Sequence, residues 1–589
     1  MTEQPAISEQ NSPAQAVIGR ALLISAAVII ALLSSLSVKY VVNDDPSFAM
    51  IVSGSDGFHA SADVPFISRL LSQLLVALYG LAPAVPWYGI TLYLSAWLGL
   101  GILVSVPLAG KWSRTTTLVL LAGWAPYLLF GLYNISMTNV TLWLQLGVFL
   151  HLLLWLRSDR CFRLQSGWLV AALMVGYLWR WEMFLVFNVF AVPLLLFVTR
   201  KDVRKCVPIL VGLCLLVTVD RTWEFVVTGE PEYRQYESFN RMRGRFHDRA
   251  EGQQHAGTPK ALRQVGWSEN DYRAYHELWM LYDEKAVTEV RLREFLAANG
   301  SEGPGLGLGG IVERVKNIVQ GNKMVLPPFV FVMLALSLLH GLDWWQAGKG
   351  ERTRISVSLG IVAVGMCAIC YARFVSRVGF PLFVYGMGVL VVIGRRRPNQ
   401  ENDARGLRSM NVVAGILALT GIVLAGTWAR VDLSALRSEG IQRTFIQNSL
   451  ESFLKESVGQ KPVLIQLDPG VAIMHVGCGP FQERLTEQPV RVVPSGWNMR
   501  SPRYRGALSQ LQVTSGQELL ARAAGDLSVY FVLYARPWDD VPRVKRIWES
   551  YYQEHFGGAA KGGYRLESVR RFESAGYQVL FFQMSSLDN

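Results

Sequence analysis

The stretch LLSSLSVKYVVNDDPSFAM (32–50) decides how the rest of the chain is read. Its first residues close an apolar run over 20–41, and Asn43, Asp44, Asp45 and Pro46 follow at once. A helix of about 20 residues, rising about 1.5 Å per residue, matches a bilayer core of roughly 30 Å with every backbone group bonded internally. Two adjacent carboxylates where such a helix leaves the lipid are costly to desolvate unless they bind or react with something. A plainer reading makes Asp45, before Pro46, the cap of a short helix over 46–54 that Gly54 ends. Capping accounts for Asp45 and leaves Asp44 without a reason.

Working outward, apolar runs of spanning length recur at 20–41, 86–109, 115–133, 139–156, 166–180, 182–199, 206–227, 323–341, 355–372, 378–394 and 410–428. The fifth and sixth are short and nearly fused, so the expectation is about eleven transmembrane helices. The first carries no small-residue cleavage site before Lys39 and reads as an anchor. Cations fix the direction of threading. Lys111 and Arg114 follow the second run; Arg157, Arg160 and Arg163 the fourth; and Arg200, Lys201, Arg204 and Lys205 the sixth. Lys349, Arg352 and Arg354 follow the eighth, and Arg395, Arg396 and Arg397 the tenth, whereas the opposite connections are nearly bare. By the positive-inside rule the N-terminus is cytoplasmic and everything after 428 lies outside.

Residues 66–82 (FISRLLSQLLVALYGLA) break this alternation, because counting them as a span inverts every later cluster. Ser68, Arg69, Ser72 and Gln73 gather on one face, so the stretch reads as an amphipathic helix on the outer membrane surface, ended by Pro83 and Pro86. The chain therefore divides into a cytoplasmic tail (1–19), a membrane core (20–428) with a first outer loop (42–85) and a long outer loop (228–322), and a soluble α/β domain (430–589). Helical patterns are expected near 232–249 and 269–298 of the long loop. In the last domain, strands are expected at 462–467, 490–494, 529–535 and 577–582, with helices at 441–456, 515–524 and 541–555. The glycine run GPGLGLGG (303–310) follows no strand and reads as a connector.

Composition agrees with a membrane protein. Hydrophobic residues make up 51% and charged residues 17%, which excludes a disordered chain and argues against a wholly soluble enzyme. The net charge of +12 belongs to cytoplasmic loops, so no nucleic-acid partner is implied. Six cysteines are too few for a disulfide scaffold, and none stands in a zinc-spaced pair outside an apolar run.

A first span, an acidic pair opening the first outer loop (Asp44, Asp45), a surface helix before the next span, a many-span core and a soluble outer C-terminal domain together resemble the GT-C superfamily. These are multi-spanning glycosyltransferases that use polyprenyl-phosphate sugars on the outer membrane face. The resemblance implies an enzyme of a bacterial-type inner membrane that moves a sugar from such a donor to a glycan, lipid or protein acceptor in the cell envelope. An acceptor hydroxyl attacks the anomeric carbon while the lipid phosphate leaves, so a carboxylate must take the proton and cations must steady the phosphate. Asp44 is the first choice for the base and Asp45 the second. An acidic pair also suits a divalent cation, since hard cations favour oxygen ligands.

For the phosphate, outer span ends supply Arg180, beside Glu182 in YLWRWEMF, and Arg373 and Arg377 in YARFVSRVGFP. The last two, spaced by four, share a face if that segment is helical. Snorkelling or lipid-headgroup attraction explains such arginines equally well. Asp56, His59 and Asp63 are lower-ranked partners in the first loop, and a solvated loop histidine is the commoner case. Arg241 and Arg243, in YRQYESFNRMRGRFHDR (233–249), have the mixture of Arg and aromatic rings that binds sugars or phosphate, though a helix covering the core has the same pattern. Asp220, Arg221 and Glu224 read as a structural ion-pair group, and SGWNMRSPRYRG (495–506) as a turn-rich loop facing an acceptor. Two other classes compete: a transporter or flippase for a lipid-linked saccharide, and a non-catalytic envelope-polysaccharide assembly protein in which the acids only cap a helix.

Overall fold

The computed structural model describes residues 13–40, 44–109, 114–156, 165–198, 207–228, 231–247, 258–299, 440–457, 461–467, 476–486, 490–557 and 563–587, with isolated residues at 356, 423 and 438. Apart from residues 356 and 423, the last four apolar runs, the glycine run, Arg373 and Arg377 lie outside the described residues. Seven apolar runs correspond to helices: α1 (Pro13–Ser35), then, after α2 (Asp44–Ser53) and α3 (Arg69–Leu81), α4 (Trp87–Ala109), α5 (Arg114–Tyr133), α6 (Met137–Leu156), α7 (Gln165–Trp179), α8 (Trp181–Val198) and α9 (Val207–Thr228). Among the described residues, Ala16–Ser35, Trp87–Ala109 and Met137–Leu154 are long and apolar enough to cross a bilayer.

The packing of these helices follows from where their polar and small residues fall. α6 is almost wholly enclosed by α4, α7 and α8, and it buries Thr138, Asn139, Thr141 and Gln145 along with its leucines. In an apolar surrounding such side chains must bond across helices, as Thr141 does to the Gly176 carbonyl at 3.0 Å. Large apolar side chains instead face outward on the peripheral helices, among them Leu23 and Ile30 of α1 and Leu215 and Phe225 of α9. That inversion suits a lipid surround.

α3 forms as its pattern predicts. Ser68 caps it by accepting from the Leu70 N–H, and the helix gives out before Pro83. The polar face turns inward, however: Ser68 and Ser72 are buried, and the Ser68 hydroxyl donates to Asp220 at 2.6 Å. Leu70, Leu74 and Leu81 form the exposed stripe.

α2 opens at Asp44, so both acids stand in its first turn and Asp45 is not a residue outside the helix capping it. Carboxylates in a first turn face the positive end of the helix dipole. Gly54, at φ 71°, ends the helix as expected.

The remaining elements are α10 (Pro231–His247), α11 (Pro259–Val265), α12 (Glu269–His276), α13 (Glu289–Ala298), a helix α14 over 440–456, and then α15 (Pro502–Gln510), α16 (Gly516–Ala523) and α17 (Val541–Phe556). Strands β1 (Lys39–Tyr40) and β2 (Asn134–Ile135) pair in parallel at one end of the bundle. Five more strands, β3 (Val463–Gln466), β4 (Arg491–Val492), β5 (Val529–Ala535), β6 (Tyr564–Ser574) and β7 (Tyr577–Ser586), form one sheet in the order β4-β3-β5-β7-β6. β4, β3 and β5 run parallel, while β7 is antiparallel to β5 and β6.

β5 shows why VYFVLYA is a strand. Phe531 and Leu533 enter a core with Trp548 and Tyr551, whereas Tyr530, Val532 and Tyr534 pack toward Ile446 and Phe453 of α14. A strand covered on both faces reads as a continuous apolar run. The first of these cores also holds Phe246, Trp267, Tyr275 and Phe295, so α10–α13 and the C-terminal sheet are built around the same apolar interior.

This unit is bolted to the segment between α2 and α3. Arg503 of α15 grips Asp56 through one nitrogen at 2.7 and 2.8 Å, and its other terminal nitrogen donates to the His59 carbonyl. Gly57, at φ 85°, lets the Val490 carbonyl approach so closely that an added Cβ would lie 2.1 Å from it. Replacing Arg503 with Met strands a buried carboxylate. The expected cost is about 3–5 kcal/mol, measured as a lower unfolding midpoint of the purified full chain.

Candidate active site

The acidic pair is placed by the β1–β2 pairing, which ties the end of α1 to the α5–α6 junction. Asp45 is fully buried there and accepts from the Tyr88 hydroxyl at 2.8 Å and from the Met137 N–H at 3.2 Å. Met137 begins α6, so its N–H is one of the donors that a helix leaves unbonded within itself, and the carboxylate sits at the positive end of that helix. Ser136 supplies a further cap by accepting from the Asn139 N–H at 3.2 Å.

Asp44 is half-buried and receives the Trp497 indole N–H at 3.1 Å. Trp497 belongs to the turn after β4, the segment expected to be an acceptor-facing loop. Its ring meets Phe48 at 4.8 Å and Phe66 at 6.2 Å. Phe66 has φ 72°, a conformation that costs a bulky residue on the order of 1–3 kcal/mol and persists only where neighbours over-determine it. Beyond Phe66 lies Arg180, with its guanidinium carbon 5.1 Å from the ring.

Arg180 stands between α7 and α8, where the two short runs meet, and donates to the Thr138 hydroxyl at 2.6 Å. Asp45 and Arg180 therefore bind successive residues, Met137 and Thr138, of one helix terminus. Glu182 lies within the field of both Arg180 and Arg221. Arg221 stacks over Trp181 at 4.0 Å, pairs with Glu224 at 2.5 Å and approaches Asp220 at 3.5 Å. Asp220 also takes the Tyr177 hydroxyl at 2.7 Å, so this group ties α3, α7 and α9 together.

The other residues singled out from sequence fall elsewhere. Asp56 is committed to Arg503 as described, and its carboxylate does not reach toward Asp44 as a partner. His59 is exposed and engages Arg503 through its backbone. Asp63 pairs with Arg69. Arg243 is buried, bonds Asn240 at 2.8 Å and lies 5.4 Å over Trp279, while Arg241 is exposed on α10. Sequence reasoning missed Tyr88, Thr138, Phe66 and Trp497 as members of the site. Only Trp497 carried a signal, its place in a turn-rich stretch.

Among the described residues, the group with metal-ligand spacing is Asp271, Glu554 and His555, distant in sequence from the acidic pair. His555 bridges two carboxylates, with Nε2 2.6 Å from Asp271 and Nδ1 3.8 Å from Asp283. The Ser268 hydroxyl holds Glu554 at 2.7 Å. These bonds join α12 to α17 and account for the cluster as a staple between two helices.

Chemically, the site sets a half-buried carboxylate and a guanidinium on either side of an aromatic wall made by Phe48, Phe66 and Trp497.

No protein-family model matches the chain, and no curated protein matches it. It is similar to two solved structures of ArnT from Cupriavidus metallidurans. One, in the apo state, has 14% identity over 96% of this chain and 98% of that one; the other, bound to undecaprenyl phosphate, has 13% identity over 95% and 97%. Each has a TM-score of 0.38. At this score, function has to be read from the residues.

Two outcomes are expected. Tyr88→Phe keeps the ring but removes a donor from the buried Asp45 carboxylate, so unfolding should become easier by about 2 kcal/mol, read by denaturation in detergent. For His555, burial alone would lower its pKa, but the hydrogen bond and charge of Asp271, with Asp283, raise it. The stabilisation is then full below the unfolded value of about 6.5 and is lost as pH rises through the higher folded value. The Tm advantage over His555→Gln should therefore fade on going from about pH 6 to alkaline conditions.

Proposed function

We propose that this chain is a membrane glycosyltransferase that takes a sugar from a polyprenyl-phosphate donor and passes it to an acceptor hydroxyl on the extracytoplasmic face. In this reading about eleven helices span an inner membrane, with the N-terminus inside and the C-terminal domain outside. The observation that carries it is that Asp44 and Arg180 flank one aromatic wall, while Asp45 and Arg180 bind successive residues, Met137 and Thr138, of one helix terminus.

The acceptor oxygen attacks the anomeric carbon and gives its proton to Asp44. The bond from that carbon to the phosphate oxygen breaks, and the lipid phosphate leaves with the electron pair toward Arg180. Asp45 orients its neighbour by anchoring the first turn of α2 to Tyr88 and Met137. The carboxylates take N–H and O–H donors (Trp497, Tyr88, Met137), the partners suited to an acid that works as a base. The acceptor enters from the side of Trp497. Gln466 at the end of β3 and Asn498 in the same turn are buried with a carboxamide oxygen unbonded, ready to take a ligand hydroxyl. The ends of parallel strands are where α/β sheets receive ligands.

The test is release of polyprenyl phosphate from sugar-loaded donors by the purified chain, run beside a transport assay in vesicles. Asp44→Asn should lower transfer by at least about 100-fold with the fold intact, and Arg180→Gln should weaken use of the donor. Transport without transfer, or full activity in Asp44→Asn, contradicts the proposal.

A further inference from the structure

The acidic pair is reached from a second direction, by the turn 476–486 of the C-terminal domain. Gly479 and Gln482 bond each other across this turn, and its tip enters the end of the bundle. The Pro480 carbonyl packs onto Gly89 so tightly that an added Cβ would lie 1.6 Å from it. The Phe481 ring stacks on Tyr93 of α4 at 5.2 Å. Behind them Glu483, 5% exposed, is carried to the base of α3 and α4.

One oxygen of Glu483 accepts from the Gly89 N–H at 2.8 Å and from the Tyr40 hydroxyl at 3.4 Å; the other accepts from the Tyr79 hydroxyl. Each of these donors bears on Asp45. The Tyr79 oxygen receives the Tyr88 N–H at 2.9 Å, and Tyr88 gives its own hydroxyl to Asp45. Tyr40 meets the edge of the Tyr88 ring at 6.0 Å and sits in β1, whose pairing with β2 brings Met137 to Asp45. Gly89 is the residue after Tyr88 in the first turn of α4.

We propose that Glu483 is a positioning residue for the acidic pair, holding Tyr40, Tyr79 and the first turn of α4 so that Tyr88 presents its hydroxyl to Asp45. The inference rests on the reading of Asp44 and Asp45 as the transfer site. It makes the soluble domain a working part of that site through a contact separate from Trp497.

A carboxylate at this point is more than interface glue. An apolar side chain would dock the turn at a smaller desolvation cost, but it would leave the Gly89 N–H and two tyrosine hydroxyls unpaired. A cavity of about 300 Å³ lined by Tyr79, Pro83, Glu451, Glu483 and Arg484 gives the carboxyl a path to solvent protons. Burial pushes Glu483 up to about 7, against the opposing pull of its hydrogen bonds from Tyr79, Gly89 and Tyr40. The groups around it are Tyr40 on β1, Tyr79 on α3 and Tyr88 on α4, with Asp45 beyond Tyr88. Arg443 and Glu451 on α14 and Arg484 beside it complete the set. Once protonated, Glu483 becomes a donor, and one of its three donors must turn away.

The test uses the full chain with Glu483→Gln, Tyr79→Phe and the double variant. Transfer rates are measured from about pH 5.5 to 8.5, and Tm over the same range. Each single variant should lower kcat about tenfold, as expected of a misplaced reacting group, with donor KM unchanged. The double variant should lose no more than either single, because both act along one path. The wild type should lose activity as pH falls through about 7, and Glu483→Gln should lack that limb. Because the folded carboxyl binds its proton at higher pH than the unfolded chain does, the wild type should gain Tm over Glu483→Gln as pH falls from about 7 toward 4.5. Glu483→Gln with wild-type kcat and pH profile, while Asp44→Asn is dead, overturns this inference alone. A wild type that transfers no sugar overturns it together with the proposed function.

Discussion

Asp45, buried against the first turn of α6, is the constraint from which the rest of the site follows. A carboxylate in an apolar interior persists only with donors aimed at it, and here a helix terminus and a tyrosine hydroxyl supply them. Meeting that requirement fixes α2 against α4 and α6 and leaves Asp44, its neighbour in the same turn, at the edge of the buried region. The strained Phe66 and the Arg180–Thr138 bond then fall within the same few residues. In the proposed reading, stability and reactivity are divided between adjacent acids: Asp45 holds the frame and Asp44 is held by it.

The C-terminal unit completes that frame from three sides. Trp497 reaches Asp44, Glu483 reaches the tyrosines behind Asp45, and Arg503 locks Asp56 in the segment between α2 and α3. A buried ion pair such as the last costs nearly as much to desolvate as it returns, so its value lies in fixing one docking arrangement. Contacts at Gly57 and Gly89, where no side chain fits, make that arrangement a close approach of backbones. The β3–β4 end of the sheet consequently faces the acidic pair.

Much of the helical frame was legible because apolar run length is a direct consequence of bilayer thickness and helix rise. Runs 166–180 and 182–199 resolve into α7 and α8 with Arg180 at their junction. α3 was legible from its two-sided pattern, but which side faced protein was not, since Asp220 lies about 150 residues on in the chain. The acidic pair drew attention as unneeded charge at a span end. Its partners Tyr88 and Trp497 could not be found by spacing, being aromatic residues in an aromatic-rich chain. Asp56 and His59 looked available only because their tie to Arg503 crosses more than 440 residues. In the sheet, VYFVLYA announced itself, whereas β6 (YRLESVRRFES) hid behind charges on both faces, as suits an edge strand.

The most direct measurement is an experimental structure of the full chain with a polyprenyl-phosphate analogue. The account predicts the phosphate against Arg180, with the Asp44 carboxylate facing the position of the anomeric carbon across the Phe66 wall. A phosphate bound away from Arg180, or an Asp44 turned away from it into open solvent, would contradict it.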